Sequence, residues 1–317
     1  MSAQLDVIAQ GLVAWDEIVW VTNLPGAEGV AVALRHDADG GGMAANFVMG
    51  LARLGAKTGL IAALGDDSVG RSIMNNLQDE GIDTSHLYIR RGAGTTSTVV
   101  YTDPQELRAG VLHNLDTVLS LRPDEIDSHY LARAKIFFTD QTPPDAAIAG
   151  ARLAHEHGST VVTEMQVSLE QSAGVGITAE KVWAVLEYTD IFVPSRAGLI
   201  SLMQVADVQD ALDAVCRKYP NKIIVVTLGA KGSVIGQGDR RIVIPAYPAE
   251  VVDIVGAGDA YHAAFVYAYC LRGWELEQAG HFASAAAALK CTQIGAQKGM
   301  PTLEAVRAFC PYCIPKA

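Results

Sequence analysis

Short apolar, β-branched runs alternate along this chain with longer segments in which apolar residues recur every three or four positions. Residues 6–12, 58–64, 135–138, 160–163, 191–193 and 223–227 read as buried strands. Helical periodicity covers 44–54, 69–80, 144–157, 179–187, 208–218, 260–271 and 276–290. Strands joined by helices of this length require crossover connections. The pattern therefore predicts an α/β fold, a doubly wound and mostly parallel sheet flanked by helices. Pro144 at a helix start and Gly55, Gly81 and Gly158 just past helix ends agree with the usual terminators. Two stretches break the alternation, 18–36 and 97–114, where strands follow one another without helices. Thr96-Ser97-Thr98-Val99-Val100-Tyr101-Thr102 is rich in β-branched and aromatic residues. These stretches predict a small β-sheet lid standing off the main body. No repeat or linker divides the chain, so one domain is expected over 1–317, with lid strands at about 13–38 and 96–116.

Composition narrows the classes. Of 317 residues, 50% are hydrophobic and 19% charged, enough to bury a large core and too apolar for disorder. A net charge of -11 argues against a nucleic-acid partner, which needs a basic face. No apolar run reaches the roughly 20 residues that span a bilayer, so no membrane partner is expected. The first residues lack a basic leader. The five cysteines, an odd number, fit a reducing cytoplasm better than a disulfide framework. Cys310-Pro311-Tyr312-Cys313 has the spacing of a redox motif. It follows a helix and precedes only four residues, so no helix can follow to acidify the thiol; chance spacing is the expectation. The eight histidines show no metal-ligand spacing.

Four segments carry candidate chemistry. In Asp253-Ile254-Val255-Gly256-Ala257-Gly258-Asp259-Ala260 two glycines allow a tight turn, and the following helix points its positive end at the same place. A transferring phosphate suits that place, with Asp259 in the first turn able to take a proton from an attacking hydroxyl. On this octet alone, a glycine turn whose Asp259 merely steadies a helix start is an equal reading. Gly40-Gly41-Gly42 followed by Asn46 in a first helical turn would admit a polar ligand close to the backbone; a plain helix start is slightly favoured when it is taken alone. Asp16 stands just past the first strand, on the side of an α/β sheet where ligands bind, although a lone loop aspartate is common. Val226-Thr227-Leu228-Gly229-Ala230-Lys231-Gly232 brings a buried strand into a glycine turn, a weak signal for nucleotide phosphates. The P-loop and the dinucleotide-binding glycine patterns are both absent.

In this order the segments resemble the ribokinase (PfkB) carbohydrate-kinase family. Residues 40–55 with Ala62-Ala63-Leu64-Gly65-Asp66-Asp67-Ser68-Val69-Gly70 are similar to its N-terminal signature, and 253–260 to its C-terminal one. The turn at 226–232 and Gly295 to Pro301 fit the same scheme, so the likeness spans nearly the whole chain. It implies a kinase that moves the γ-phosphate of ATP to a primary alcohol with Mg²⁺, under a β-sheet lid that often forms a homodimer interface. Asp259 would match the base, Gly256, Ala257 and Gly258 the anion hole, and Asp16, Gly41, Gly42 and Asn46 the sugar site. Thr227, Gly229, Gly232, Ser195 and Ser284 would fall at the nucleotide. Residues 11–16 and Val162-Thr163-Glu164 resemble ketohexokinase members. Ala288-Leu289-Lys290-Cys291-Thr292, Gly299-Met300-Pro301 and Asn114 in the lid, a further sugar contact, resemble bacterial sulfofructose kinase. Thr139-Asp140-Gln141-Thr142 offers no arginine for a sulfonate, so a ketose or other furanose is the expected acceptor. The chain departs from the family at Ser195-Arg196-Ala197-Gly198, where many members carry Asn-x-x-Glu near magnesium, and at Ile254 in place of threonine. Glu164 could then serve the metal through water, or be structural. Asp253 is the candidate for a monovalent cation such as K⁺. A nucleoside kinase and a non-catalytic sugar or nucleotide sensor stand as alternatives.

Overall fold

The structure, a computed structural model, describes residues 4–24, 29–102 and 108–313. Its strands, in chain order, are β1 (Leu5–Gln10), β2 (Ala14–Val21), β3 (Ala33–Gly41), β4 (Thr58–Gly65), β5 (Asp83–Arg90), β6 (Ser97–Thr102), β7 (Arg108–His113), β8 (Ala134–Thr139), β9 (Thr160–Met165), β10 (Ile191–Pro194), β11 (Ile223–Thr227), β12 (Ser233–Gln237) and β13 (Arg240–Ile244). Nine of them form the central sheet in the order β13-β12-β11-β10-β9-β8-β1-β4-β5. All neighbours are parallel except β12, which runs antiparallel to β11 and β13. Strands covered on both faces read as unbroken apolar runs, and β4 is buried at every residue. The edge strand β5 and the hairpin β12–β13 were not expected from the sequence. In β5 the run Asp-Thr-Ser-His-Leu-Tyr-Ile-Arg keeps only Leu87 buried, so its apolar signal is thin.

The strand order reverses between β1 and β8. From β1 the chain builds outward through β4 and β5, and from β8 it builds the other way. Such a reversal opens a crevice at the carboxyl ends of the two strands, the usual ligand position in open α/β sheets. One face carries helices Met43–Arg53, Ala257–Val266 and Leu276–Lys290. Gly50 lets the first two approach closely, since a methyl group there would lie 2.9 Å from the Ala263 methyl. Phe47 stacks on Phe138 of β8, ring centroids 3.7 Å apart. The other face packs Pro144–Glu156, Ala179–Leu186, Arg196–Met203 and Val208–Lys218.

The second sheet has the order β3-β2-β6-β7, with β2 and β6 parallel and the outer pairs antiparallel. It extends further than the expected lid strand. Gly40 and Gly41 are not a turn but the last residues of β3, and only Gly42, at φ 91°, turns the chain into the helix. Val30, Val32 and Leu34 project from this region at 91%, 63% and 62% exposure.

Near the C-terminus, Cys310 and Cys313 are bonded to each other with their α-carbons 5.4 Å apart. This corrects the expectation of a spacing without consequence: a short turn at 311–313 brings the two side chains within bonding reach.

Candidate active site

Helix Ala257–Val266 begins at Gly256, whose φ of 80° a side chain would resist, and it is buried from Asp259 onward. Asp259 lies in its first turn and is 3% exposed. One carboxylate oxygen accepts from the Asn46 amide at 2.7 Å, and the other accepts from the Gln166 amide. Burial, reinforced by the negative field of Glu164, pushes the Asp259 pKa up to about 7. Such a group can hold or release a proton near neutrality. Asn46 keeps its Oδ1 buried with no hydrogen-bond partner, an acceptor aimed at nothing in the protein. Gln166 escaped the sequence reading because nothing marks a glutamine after a strand end.

Asp16 lies within β2, inside the stretch expected to supply a strand of the small sheet. Its cross-strand neighbours are Asp39 on β3 and Thr98 on β6. Burial raises its pKa to about 6; the Thr98 hydrogen bond opposes this, while the fields of Asp39 and Asp259 add to it. Like charges directly opposite one another on a sheet are unfavourable when both are ionised. Gly41 makes room for Asp16: a methyl group at Gly41 would lie 2.1 Å from its Oδ2. Gly42 is equally constrained, since a methyl group there would lie 2.5 Å from the Leu12 carbonyl oxygen. The small sheet is docked by Asp39, which accepts from the backbone amides of Gly40, Gln297 and Lys298 at 2.8, 3.0 and 2.8 Å. Asn114 follows β7 in a left-handed conformation, φ 54°, and donates to the Thr95 carbonyl at 3.2 Å.

Asp140, unremarked in the sequence beyond being no arginine, braces the crevice from the end of β8. It accepts from Leu12, Ala44 and Thr142 amides at 2.7, 3.1 and 2.9 Å. The strand-to-strand crossing at 11–13 and the start of helix Met43–Arg53 are thus tied to one carboxylate. Burial lifts its pKa to about 7 against those three donors.

The expected nucleotide residues gather further along the same edge. Ser195 and Thr227 are bridge partners at the ends of β10 and β11. Gly229 and Gly232 shape the turn after β11 with φ of 59° and 88°. A side chain at 232 would strike the Ile244 carbonyl, 2.0 Å away. Ser195 caps helix Arg196–Met203 by accepting from Gly198, and the Ser284 hydroxyl donates to the Pro245 carbonyl at 2.7 Å. Val255 and Ala257 amides are engaged within the loop, by Asp253 and the Ile254 carbonyl. The first amides of a helix have no intrahelical acceptor, and the turn at Gly256–Gly258 that opens this one is partly exposed.

Glu164, at the end of β9, is fully buried, and neither of its carboxyl oxygens has a hydrogen-bond partner. Its neighbour is His262, Nδ1 at 3.5 Å, also fully buried. Burial pushes Glu164 up to about 8 and His262 down to about 4. Burial thus disfavours the charged form of each. Among the described residues no three acidic, histidine or cysteine side chains stand together as a metal cage. Asp253 is 5% exposed; its oxygens accept from the Val255 and Gly295 amides, and the Lys290 ammonium lies 3.8 Å away.

A crevice at a topological switch point, a carboxylate at a buried helix start and a small sheet across the opening define a phosphotransferase acting on a hydroxyl group. The chain belongs to the pfkB family of carbohydrate kinases, whose profile it matches over residues 17–303. It is 31% identical over 283 residues to a 5-dehydro-2-deoxygluconokinase from Clostridium perfringens, covering 85% of this chain and 83% of that one. It is also 31% identical to a nucleoside kinase from Methanothermobacter thermautotrophicus, covering 98% and 97%. Among solved structures, Arabidopsis thaliana ribokinase complexed with ribose and ATP superposes with a TM-score of 0.84 at 24% identity, covering 98% and 99%. That likeness is one of fold.

Proposed function

We propose that the protein phosphorylates a primary hydroxyl of a small sugar, a ketose or other furanose, using ATP. The observation that carries this is Asp259, held by Asn46 and Gln166 at a buried helix start with its pKa near 7. The sugar lies between the two sheets, its hydroxyls donating to Asp16 and to the unpartnered Asn46 Oδ1, with Gly41 and Gly42 allowing close approach. Asp259 withdraws the proton of the attacking hydroxyl as it closes on the γ-phosphorus. The bond to the leaving oxygen of ADP breaks in line, and the turn Gly256-Ala257-Gly258 faces the charge on the transferring group. The strand ends at Ser195 and Thr227, with the turn Gly229–Gly232, receive the nucleotide. Ser284 closes that side through Pro245 rather than through an open hydroxyl.

Magnesium brought on the triphosphate would neutralise charge on its oxygens. Glu164, whose oxygens lack partners, is the carboxyl this chain could offer through water. The small sheet acts as a lid that excludes water from the transfer. Its exposed Val32 and Leu34 suit a second copy of the chain, so a homodimer through this sheet is the proposed assembly. No helix among the described residues is long and apolar enough to cross a membrane, which accords with work in the cytoplasm.

A second reading, a nucleoside kinase, is favoured by the similarity to the archaeal nucleoside kinase. ATP consumption with Mg²⁺ across ketoses, pentoses, sugar acids and nucleosides separates the two. Turnover on a free sugar supports the first reading, and turnover on nucleosides alone replaces it with the second. ATP binding without turnover on any acceptor would favour a sensor.

A further inference from the structure

The loop that starts the helix of Asp259 is pinned by a buried lysine. Lys290 ends helix Leu276–Lys290 and is 0% exposed. Its ammonium donates to the Asp253 carbonyl at 3.0 Å and the Gln293 carbonyl at 3.3 Å, and lies 3.8 Å from the Asp253 carboxylate. Asp253 in turn accepts from the Val255 and Gly295 amides at 3.1 and 3.0 Å. The Cys291 carbonyl accepts from Val252 and Asp253 at 2.8 and 3.1 Å. Gly299 leaves room for the lysine stem, since a methyl group there would lie 3.0 Å from its Cε. Backbone carbonyls and a carboxylate converging in a dry site form the oxygen shell of a monovalent cation. The cation in it is covalently attached.

We propose that the Lys290 ammonium fills the monovalent-cation position beside Asp253, so that this kinase works without potassium. The residues present do not fit a free K⁺ in addition, because carbonyls that would bind it already accept from Lys290. An ammonium group is close to K⁺ in size, and a tethered one loses little entropy on ordering the loop from Asp253 to Gly258. Lys290 is thus a positioning residue. It touches neither acceptor nor nucleotide, and it holds the turn from which Asp259 projects.

The test compares potassium, sodium and tetramethylammonium chlorides at equal ionic strength, on wild type and on Lys290→Met. Only its kinetic arm rests on the kinase reading; melting does not. Wild type should keep kcat/KM within about twofold, and its melting temperature unchanged, across the three salts. Lys290→Met removes the ammonium from beside the buried Asp253 and from the carbonyls it binds. Its kcat/KM should fall by roughly 10–100-fold in tetramethylammonium and recover several-fold in potassium, with a matching rise in melting temperature. Several-fold activation or clear stabilisation of wild type by potassium would overturn the proposal. So would a folded Lys290→Met that shows no cation rescue. If that variant does not fold in any salt, melting of wild type across the salts decides alone.

Discussion

On the proposed function two carboxylates divide the work at the crevice. With Asp259 as the base, Asp259→Asn should lower kcat by about 10²–10⁴-fold while leaving sugar affinity largely intact. Calorimetric sugar binding together with steady-state rates checks both halves, and an unchanged kcat would remove Asp259 from the reaction. Gln166 donates to Asp259 and so favours its charged form. Gln166→Leu should raise the pKa of Asp259 and shift the acidic limb of the kcat/KM profile to higher pH. For wild type that limb should lie near 7, with activity rising as the carboxylate forms. A limb below pH 5 would contradict the burial argument. Asp259 and Asp16 could be named from sequence because glycine turns and strand ends flag them. Gln166, Asp140 and Lys290 could not: their partners lie 93, 128 and 37 residues away, and no local pattern encodes those meetings.

At the scale of elements, β3 has a function beyond pairing. Its last residue, Gly41, clears space for the Asp16 carboxylate on the neighbouring strand. Gly41→Ala should displace that flexible carboxylate at little cost in stability, yet raise the sugar KM by roughly 10-fold, the worth of a charge-assisted hydrogen bond. Asp16→Asn should do the same, and the double variant should add little to either, because both act on one group. Full additivity would show that the glycine serves something else. The central strands were legible because burial on both faces makes them uniformly apolar, and 223–227 was located to the residue. The glycines at 40–42 did not announce a strand, yet two of them complete β3, and closeness to Asp16 and to Gln297 is what excludes a side chain there.

For the molecule as a whole, several buried acids hold their protons more tightly when folded. Burial raises Asp16 to about 6, Asp140 and Asp259 to about 7, and Glu164 to about 8. A group with a raised folded pKa stabilises below its unfolded value and loses that contribution as pH climbs through the folded value. Thermal stability without ligands should therefore fall as pH rises from about 5 to about 8.5. His262, lowered to about 4, works in the opposite sense, but only below its ordinary value of 6.5. Melting curves across that range test the sign, and Asp259→Asn should flatten the slope. A melting temperature rising throughout would show that the crevice is wetter than its geometry indicates. The α/β architecture and the small sheet followed from periodicity alone, whereas the docking of one sheet on the other depends on Asp39 meeting residues 297 and 298.

That docking separates two tasks physically. Asp16 and Gly41 ride on the four-stranded sheet, while Asp259, Gln166 and the nucleotide turn belong to the nine-stranded body. The two parts are joined by chain crossings at 11–13, 42, 91–96 and 114, by the Asp39 clamp, and by the Lys298 ammonium, which donates to Asp37 and to the Ala38 carbonyl. On the proposed function the acceptor is held from both parts, by Asp16 on the small sheet and by Asn46 on the body, so carrying the strands of the small sheet between relatives should change acceptor preference only in part.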